Sequence, residues 1–368
     1  MISKIVIVFS GFNQRAVIAF LRTLEKNNVG YAIIASNEHD EILLTKYSSA
    51  VCYIRKNYEL NLEDISTGIN AIKDKYKSDV GFIAPSTEGL NRFILDNRKK
   101  IEGLGCEIPL VDKFNYEQVS DKYKFSVMCI EEGLDVPIEY VSIEDVKIPF
   151  VAKPKEYYSS SGQTLCPVLV TDRRIYKNFI LDKNLEDYYF QDFICGDSLY
   201  LLFYFYRDGT VDKGSQVNLV QQPQGKSIVA ARSSNFHDKS ETYRYIKMLK
   251  KHNFHGLIMI ELKEHKGKYY MIEANPRFWG PSQLFVDADC NLFESLLYDY
   301  GLIETRPRLS ALGRNTKYFW SGGIDNNGLD DLTYFSYSKE ELKLSIDDWL
   351  SIDVYNREDT KDLYEKTN

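Results

Sequence analysis

Two carboxylates and an amide near the ends of two apolar segments are the residues best suited to chemistry in this 368-residue chain. Glu261 lies in the apolar segment that begins at Gly256, and Glu273 and Asn275 lie two residues apart in the next segment. Residues two apart share one face of a β-strand. Carboxylate and amide oxygens are hard ligands that suit Mg²⁺ held jointly with phosphates. Arg277 follows, where a guanidinium can neutralise a phosphoryl group.

The relation between the two carboxylates depends on the turn that joins their strands. A three-residue loop, 265–267, pairs Glu261 with Met271 and makes Glu273 a diagonal neighbour on the same face. Gly267 would supply the left-handed position that such a loop uses. A two-residue loop would place the carboxylates on opposite faces of the hairpin. Without a ligand, the same residues are solvated carboxylates on a half-exposed hairpin.

Two lysines earlier in the chain could bind anions. Lys122 begins a helix, and Lys153 ends a short apolar segment that starts at Phe150. An ammonium buried beside apolar residues needs an anionic partner, whereas a lone lysine at a strand end usually faces solvent. The serine-rich loop 159–162 has hydroxyl and backbone N–H groups that could cover phosphates, and its alternative is a plain surface turn.

Further segments could bind other parts of a ligand. Residues 191–194 lie where a strand leads into a loop, and such a hinge can offer backbone groups to an adenine edge. Lys226 and Arg232 could join Arg277 in an anion-binding patch for a carboxylate substrate, although a solvated surface role is equally open for both. His252 and His255 fit no zinc-ligand spacing, and we interpret them as residues at a helix end.

Hydrophobic periodicity indicates the elements that position these residues. Residues 4–9 and 31–35 are typical of buried strands, and 15–25 has apolar residues at helical spacing. This strand–helix–strand unit predicts a parallel α/β layer, but it lacks the Gly-x-Gly-x-x-Gly of an NAD site. Further strands are predicted at 80–84, 138–141, 150–153, 168–170, 188–194, 199–206, 227–231, 256–262 and 269–274, with helices at 90–100, 122–132, 240–253 and 291–300.

Composition and charge narrow the classes of function. The chain has 46 Lys and Arg against 53 Asp and Glu, and the net charge of −7 argues against a general binder of nucleic acid or membrane surfaces. No apolar run approaches the ~20 residues of a membrane span, and the N-terminal apolar run is too short for a signal peptide. The six cysteines contain no Cys-x-x-Cys pair, so we expect free thiols and a cytoplasmic protein.

The motifs, taken in their order along the chain, resemble those of the ATP-grasp superfamily. The chain is more closely similar to the carbamoyl-phosphate-synthase-like and biotin-carboxylase-like branch, which includes carboxylate–amine ligases. The segments that carry the resemblance are Ser120-Asp-Lys122, Phe150-Val-Ala-Lys153-Pro, Gln191-Asp-Phe-Ile-Cys-Gly196, Gly256-x-x-x-x-Glu261 and Glu273-Ala-Asn275-Pro-Arg277-Phe-Trp-Gly280. The resemblance implies a mixed α/β and α+β fold, with an N-terminal Rossmann-like domain and a two-subdomain ATP-grasp fold.

The resemblance also implies a role for each candidate residue. Lys122 and Lys153 would contact the phosphates of ATP, and Arg277 would stabilise the transferred phosphoryl group. Mg²⁺, or alternatively Mn²⁺, would be held by Glu261, Glu273 and Asn275. The other nucleotide contacts would come from Ser161 and Gly162 in the phosphate loop, from Gln191, Asp192, Phe193 and Ile194 at the adenine, and from Asp197 at the ribose.

The domain division follows from the same reading. We expect a Rossmann-like domain over 1–112, two ATP-grasp subdomains over 113–187 and 188–305, and a C-terminal extension over 306–368 that packs on them.

The function expected is an ATP- and Mg²⁺-dependent ligase. It would activate a small carboxylate as an acyl phosphate, join it to an amine, and release ADP and phosphate. Its partners would be ATP and these small substrates, with no nucleic acid and no membrane, and a homodimer is left open. The alternatives are a bicarbonate-activating enzyme of the carboxylase or carbamoyl phosphate type, and a non-catalytic ATP-binding subunit.

Overall fold

A computed structural model describes residues 4–159, 162–308, 315–325 and 328–367 of the chain. Its first part is a five-stranded parallel sheet with strand order β3-β2-β1-β4-β5. The elements are β1 (Lys4–Phe9), α1 (Gln14–Lys26), β2 (Tyr31–Ala35), β3 (Val51–Ile54), α2 (Leu62–Tyr76), β4 (Val80–Ile83), α3 (Glu88–Asp96), α4 (Arg98–Gly103) and β5 (Cys106–Glu107). The predicted parallel α/β layer is therefore confirmed.

The first strand and helix show why this layer forms. Five of the six residues of β1 are buried, as expected for a central strand covered on both faces. Helix α1 buries its apolar residues against the sheet. The helix predicted over 90–100 is wrong in one respect: it divides into α3 and α4 at Asn97, whose backbone N–H closes α3 and whose carbonyl begins α4.

The middle of the chain forms a small antiparallel sheet with strand order β6-β9-β7-β8. Its elements, after helices α5 (Lys113–Ser120) and α6 (Lys122–Glu131), are β6 (Glu139–Tyr140), β7 (Phe150–Pro154), β8 (Val168–Val170), α7 (Arg173–Asp182) and β9 (Tyr188–Asp192). The strand predicted over 188–194 ends at Asp192, so Phe193 and Ile194 lie in the connection that follows it.

The largest sheet has the order β14-β13-β10-β11-β12-β15, and β16 pairs with β11. Its strands are β10 (Asp197–Phe205), β11 (Val211–Gln221), β12 (Ile228–Ser233), β13 (Gly256–His265), β14 (Lys268–Asn275), β15 (Lys317–Phe319) and β16 (Thr333–Tyr334). The accompanying helices are α8 (Ser240–Lys251), α9 (Ser282–Asp287), α10 (Leu292–Asp299), α11 (Gly322–Asp325), α12 (Lys339–Leu344), α13 (Ile346–Ser351) and α14 (Lys361–Thr367). Strand β11 was not predicted, because residues 212–216 are a run of polar residues and glycine with no apolar alternation.

Both faces of the large sheet are covered, which explains the apolar run of β10. Leu202 and Tyr204 contribute to one buried cluster, together with α1, α9 and α10, whereas Leu201 and Phe203 contribute to a second cluster on the opposite face. The first cluster joins the parallel sheet to the large sheet through aromatic contacts. Phe20 of α1 packs on Phe278 just after β14, with ring centroids 4.9 Å apart.

No helix in the described ranges is long and apolar enough to cross a membrane.

The C-terminal residues pack back on the first helix through a mostly buried ion pair. Arg22 of α1 donates from Nε and Nη2 to the Asp359 carboxylate at 2.7 and 2.9 Å, and also to the carbonyl of Val354 at 3.0 Å. Tyr47 donates to the same carboxylate at 2.7 Å. Because these groups are largely removed from water, losing one partner leaves the other uncompensated.

The Arg22→Met substitution is therefore expected to lower the free energy of unfolding by about 2–4 kcal/mol. The matched control is Lys26→Met on the same helix, because Lys26 is 58% exposed in its ion pair with Glu294 and should contribute little. Urea denaturation followed by tryptophan fluorescence measures both variants. Equal midpoints for the two variants would show that the Arg22 network does not hold the C-terminal residues.

Candidate active site

The β13–β14 hairpin has a two-residue turn, so the alternative of a three-residue loop over 265–267 does not occur. His265 pairs with Lys268, and the turn residues Lys266 and Gly267 have φ of 51° and 77°. Two successive positive φ values are typical of the tight hairpin turn that matches strand twist. This turn alone would place Glu261 and Glu273 on opposite faces of the hairpin.

A β-bulge reverses that consequence. Leu262 pairs with Met271, but Glu261 pairs with Glu273, so one extra residue, Ile272, lies in β14 between these pairs. An extra residue shifts the alternation of side chains by one position and returns the two carboxylates to the same face. They are direct cross-strand partners, whereas a diagonal relation was expected. The Ile272 carbonyl accepts a hydrogen bond from Lys153 Nζ at 2.7 Å.

Glu261 is supported by a buried polar network on the neighbouring strands. Its Oε1 accepts from Ser198 Oγ at 3.1 Å, and Ser198 Oγ accepts from Asn218 Nδ2 at 2.8 Å. Gln216 Nε2 donates to Asn218 Oδ1 at 2.7 Å. All four side chains are buried. Burial and the adjacent Glu273 carboxylate raise the pKa of Glu261, so this carboxylate lacks the full compensation that a cation would give it.

Glu273 is held by a cation and an amide. It forms an ion pair with Lys122 at the start of α6, and its Oε1 accepts from Asn275 Nδ2 at 2.8 Å. Burial favours the neutral acid, but Lys122 and the hydrogen bonds outweigh burial and lower the pKa of Glu273 to about 2. The carboxylate is therefore ionised at neutral pH.

Lys153 is a buried lysine with few contacts. It lies on β7, is 6% exposed, and donates to a carbonyl, that of Ile272. Burial, together with the nearby Lys122, lowers the pKa of Lys153 to about 7, although Glu273 and Glu261 act in the opposite direction. A polyanion in this position would restore the charge that burial disfavours.

Arg277 is fixed in place immediately beyond β14. Its Nη1 donates to the Phe278 carbonyl at 2.8 Å, and its Nη2 donates to Asn275 Oδ1 at 3.0 Å. Its Nε lies 3.9 Å from Glu88 Oε2 and has no hydrogen-bond partner in the described part of the chain. Glu88 begins α3 and accepts from Arg92 Nε at 2.7 Å. Helix α3, which follows the parallel strand β4, therefore contributes a carboxylate to the surroundings of Arg277.

These side chains border a cavity of about 1,050 Å³ between the parallel sheet, the small sheet and the large sheet. Glu273, Asn275, Arg277, Gly162 and Lys226 are among its lining residues. Lys122, Lys153 and Glu261 are not among the lining residues. Lys122 and Glu261 contact the lining residue Glu273, and Lys153 binds the carbonyl of Ile272 just before it. Of the lining residues in the described part of the chain, none is a histidine or a cysteine.

The predicted adenine and ribose segment spans the last two residues of β9 and the connection to β10. Gln191 is 1% exposed, and its Oε1 has no hydrogen-bond partner among the described residues. The Asp192 carboxylate accepts from Tyr140, and Phe193 and Ile194 are half-buried. Asp197 begins β10 opposite Glu264. Gly196 is required at this point, since a Cβ on it would lie 1.7 Å from the Glu264 carbonyl oxygen.

The predicted substrate patch is only partly assembled. Lys226 is exposed at the cavity, beside Ser227, whereas Arg232 is exposed on β12 and is not one of the lining residues described. Arg232 pairs in register with Val217 and Lys317 near the end of β12, beyond the residues of that strand that border the cavity. Ser161 lies outside the described residues.

Two arginines at the cavity were missed by sequence reasoning. Arg15 donates to the Ile228 carbonyl at 3.1 Å, and its guanidinium stacks 3.7 Å from the Trp320 ring centroid. A charged residue within the apolar face of α1 was the available signal for it. Arg55 also borders the cavity, directly after β3, and no motif marked it.

The donor set on the hairpin fits a magnesium ion better than a zinc ion. Glu261, Glu273 and Asn275 offer carboxylate and amide oxygens, and these oxygens lie on two paired strands. Hard oxygen ligands of this kind suit Mg²⁺ shared with phosphates. Within the described ranges, no group of three or more His, Cys, Asp or Glu residues is arranged to hold a metal ion by itself.

Comparison of the fold with solved structures finds proteins of one kind. The chain is similar to the biotin carboxylase domain dimer of Hydrogenobacter thermophilus 2-oxoglutarate carboxylase, solved with MgADP and bicarbonate (TM-score 0.59, 13% identity, 86% of this chain and 73% of that one). It is also similar to N5-carboxyaminoimidazole ribonucleotide synthetase of Thermus thermophilus (0.59, 12%, 83% and 80%) and to L-amino acid ligase of Bacillus licheniformis (0.56, 15%, 85% and 77%). No protein-family model matches the chain, and no curated protein sequence matches it.

The structure therefore has the ATP-grasp fold, as the order of the motifs predicted. The predicted fold class is confirmed, with a parallel N-terminal sheet followed by two antiparallel sheets. At 12–15% identity the similarity establishes the fold, and the chemistry must be argued from the site.

The burial of Lys153 leads to a prediction about the free energy of unfolding of the protein. Lys153→Met removes a desolvated charge whose hydrogen bond is to a carbonyl, so we expect the free energy of unfolding to stay within about 1 kcal/mol of wild type or to rise. Lys155→Met, at an exposed position two residues on, is the control. Urea denaturation without nucleotide measures both. If the free energy of unfolding fell by several kcal/mol in Lys153→Met alone, the lysine would stabilise the fold, and a role in ligand binding would no longer explain its burial.

Proposed function

We propose that the protein is an ATP- and Mg²⁺-dependent carboxylate–amine ligase. The γ-phosphoryl group of ATP is transferred to a substrate carboxylate, and an amine displaces phosphate from the resulting acyl phosphate to form an amide. The observation that carries the proposal is the contact of Lys122 and Lys153 with strand β14, whose Glu273, like Arg277 just beyond the strand, borders the cavity. Lysines, an arginine and paired carboxylates are what phosphoryl transfer requires, because its catalysis is mainly positioning and charge stabilisation.

In this proposal the two lysines bind the phosphates of ATP. Lys122 exchanges part of its ion pair with Glu273 for a phosphate oxygen, and Lys153 regains a counter-ion for its buried ammonium. Glu261, Glu273 and Asn275 would hold Mg²⁺, which when bound neutralises phosphate charge during transfer. Mn²⁺ would suit the same oxygens.

Arg277 acts on the transferred group. Its contacts with Phe278 and Asn275 fix the guanidinium before the reaction, so its donors need no reorganisation as charge develops on the phosphoryl oxygens. Lys226 borders the same cavity and would attract the substrate carboxylate. Arg232, away from the cavity, has no part in the proposal.

The rest of the nucleotide site is proposed from position in the fold. Residues 191–194 connect the small sheet to the large one, where they would line the adenine, and Asp197 at the start of β10 would reach the ribose. Ser161 and Gly162 would cover the phosphates, and Gly162 already lies at the cavity with φ of 82°. We also propose the domain division at 112, 187 and 305, a cytoplasmic location and a homodimer.

The test is a screen for ATP turnover with pairs of carboxylates and amines, including amino acids and amino sugars. Release of ADP and phosphate that requires both substrates supports the ligase. A requirement for bicarbonate instead selects a carboxyphosphate enzyme, and nucleotide binding without turnover selects a non-catalytic subunit. Formation of AMP and pyrophosphate would contradict phosphoryl transfer to the carboxylate.

The Glu273→Gln substitution is expected to reduce ADP release to background, because it removes one charged oxygen ligand and the partner of Lys122. Turnover with Mg²⁺ and circular dichroism are measured together, so that loss of activity is separated from loss of fold. Glu304→Gln, at an exposed position, is the control. Wild-type turnover by Glu273→Gln would remove Glu273 from the metal site.

The Arg277→Lys substitution keeps the charge but loses the planar fork of donors. We expect kcat to fall about 10- to 1000-fold, on the scale of one preorganised donor, with a much smaller change in ATP affinity. Arg232→Lys is the matched control away from the cavity. If ATP binding were lost while the rate at saturating ATP stayed normal, Arg277 would be a ground-state binding residue.

A further inference from the structure

Arg55 is a buried cation that the proposed chemistry leaves unused. It follows β3 directly, is 7% exposed, and borders the cavity on the side of the parallel sheet. Its Nη1 has no hydrogen-bond partner among the described residues, and no carboxylate of those residues lies within 4.0 Å of its guanidinium. A charge removed from water without a counter-ion costs free energy, so a group of this kind calls for an explanation.

The two carboxylates that act on the charge of Arg55 accept hydrogen bonds from other donors. Asp64 and Asp40 are the two acids that act on its charge, and both bind backbone and hydroxyl groups instead. Asp64 accepts from Tyr53 Oη, Lys56 N and Asn57 N at 2.6, 3.0 and 3.1 Å, and Asp40 accepts from Ser10 Oγ and Ser36 N at 2.7 and 2.8 Å. Burial lowers the pKa of Arg55, and the two acids offset this only in part.

The other two arginines of the cavity are engaged by the protein itself. Arg15 donates to Ile228, Tyr318 and Ser227, and Arg277 is held by Phe278 and Asn275. Arg277 also has one nitrogen, Nε, without a partner among the described residues, but its side chain is 25% exposed. Arg55 combines an unpartnered Nη1 with burial and a place on the cavity wall. The exposed rings of Phe12 and Tyr58 border the same cavity and add apolar surface to it.

We propose that Arg55 forms an anion subsite, which binds a carboxylate or phosphate group of a substrate at a point separate from the phosphoryl-transfer centre. The assignment of that anion to a substrate rests on the proposed ligase function. One of the two substrates then carries an anionic group in addition to the group that reacts, as an amino acid or a phosphorylated amine does. A guanidinium suits this task, because its planar fork matches both carboxylate and phosphate oxygens.

The test measures thermal unfolding of the full chain in inorganic phosphate and in acetate, at ionic strength fixed with potassium chloride and with MgADP present to fill the nucleotide site. We expect millimolar concentrations of at least one anion to raise the midpoint of the wild type by binding the folded state. Arg55→Met should lose most of this rise, while its own midpoint without anion stays equal or increases. Lys56→Met, an exposed cation next in the chain, should keep the rise.

Each result decides the proposal. An anion response that is absent from the wild type, or equal in the wild type and Arg55→Met, overturns the subsite. A rise with phosphate alone identifies a phosphate group, and a rise with acetate identifies a carboxylate. If Arg55→Met does not fold, Arg55→Lys replaces it, and the concentration of anion that gives half of the rise must then increase at least fivefold. If MgADP has no effect but the anion response depends on Arg55, the nucleotide site fails and the subsite stands.

Discussion

The extra residue in β14 is the structural constraint on which the site depends. A tight two-residue turn joins β13 to β14. Without the bulge at Ile272, the two glutamates would lie on opposite faces of the sheet. The bulge also leaves a carbonyl outside the regular ladder, and Lys153 of the small sheet binds it. One local irregularity therefore aligns the acids and joins the two antiparallel sheets across the cavity.

The charges around this hairpin are only partly balanced within the protein. Glu273 has Lys122 and Asn275 as partners, whereas Glu261 has a hydroxyl and Lys153 has a carbonyl. The directions of their pKa shifts follow from this difference. Burial decides the shift for Glu261 and Lys153, whereas for Glu273 the ion pair and the hydrogen bonds together outweigh burial. Groups left with incomplete partners in a cavity are those that a charged ligand can satisfy.

The parallel sheet is part of the site and not only a neighbour. Glu88, at the start of α3, lies between Arg92 and Arg277, and Arg92 also contacts Asp121 just before Lys122. A movement of α3 would therefore change the surroundings of the arginine and of the lysine together. Phe278 adds an apolar contact with Phe20 of α1 to this junction. The parallel and large sheets share two buried clusters, whereas the small sheet buries a cluster of its own and contacts the large sheet through Lys153.

Local sequence patterns were enough to predict most of the strands, fewer than half of the helices, and the charged residues of the candidate site. Period-two and period-3.6 patterns gave β1, β2, β7, α6 and α8 to within about two residues, because burial on one face or on both imposes those patterns. The order of the motifs led to the ATP-grasp fold, which the solved structures confirm. The roles of the individual site residues stay predictions that only experiment will test.

Tertiary structure alone decided the register of the hairpin, the exclusion of Arg232 from the cavity and the inclusion of Arg55. A bulge depends on packing against neighbouring strands, so the local sequence of β13 and β14 was compatible with more than one pairing. Strand β11 escaped prediction for a related reason: Gln216 and Asn218 are buried because they bond to one another and to Ser198. Polar residues satisfied by partners distant in the chain leave no local pattern, since their free energy depends on contacts that form only after folding.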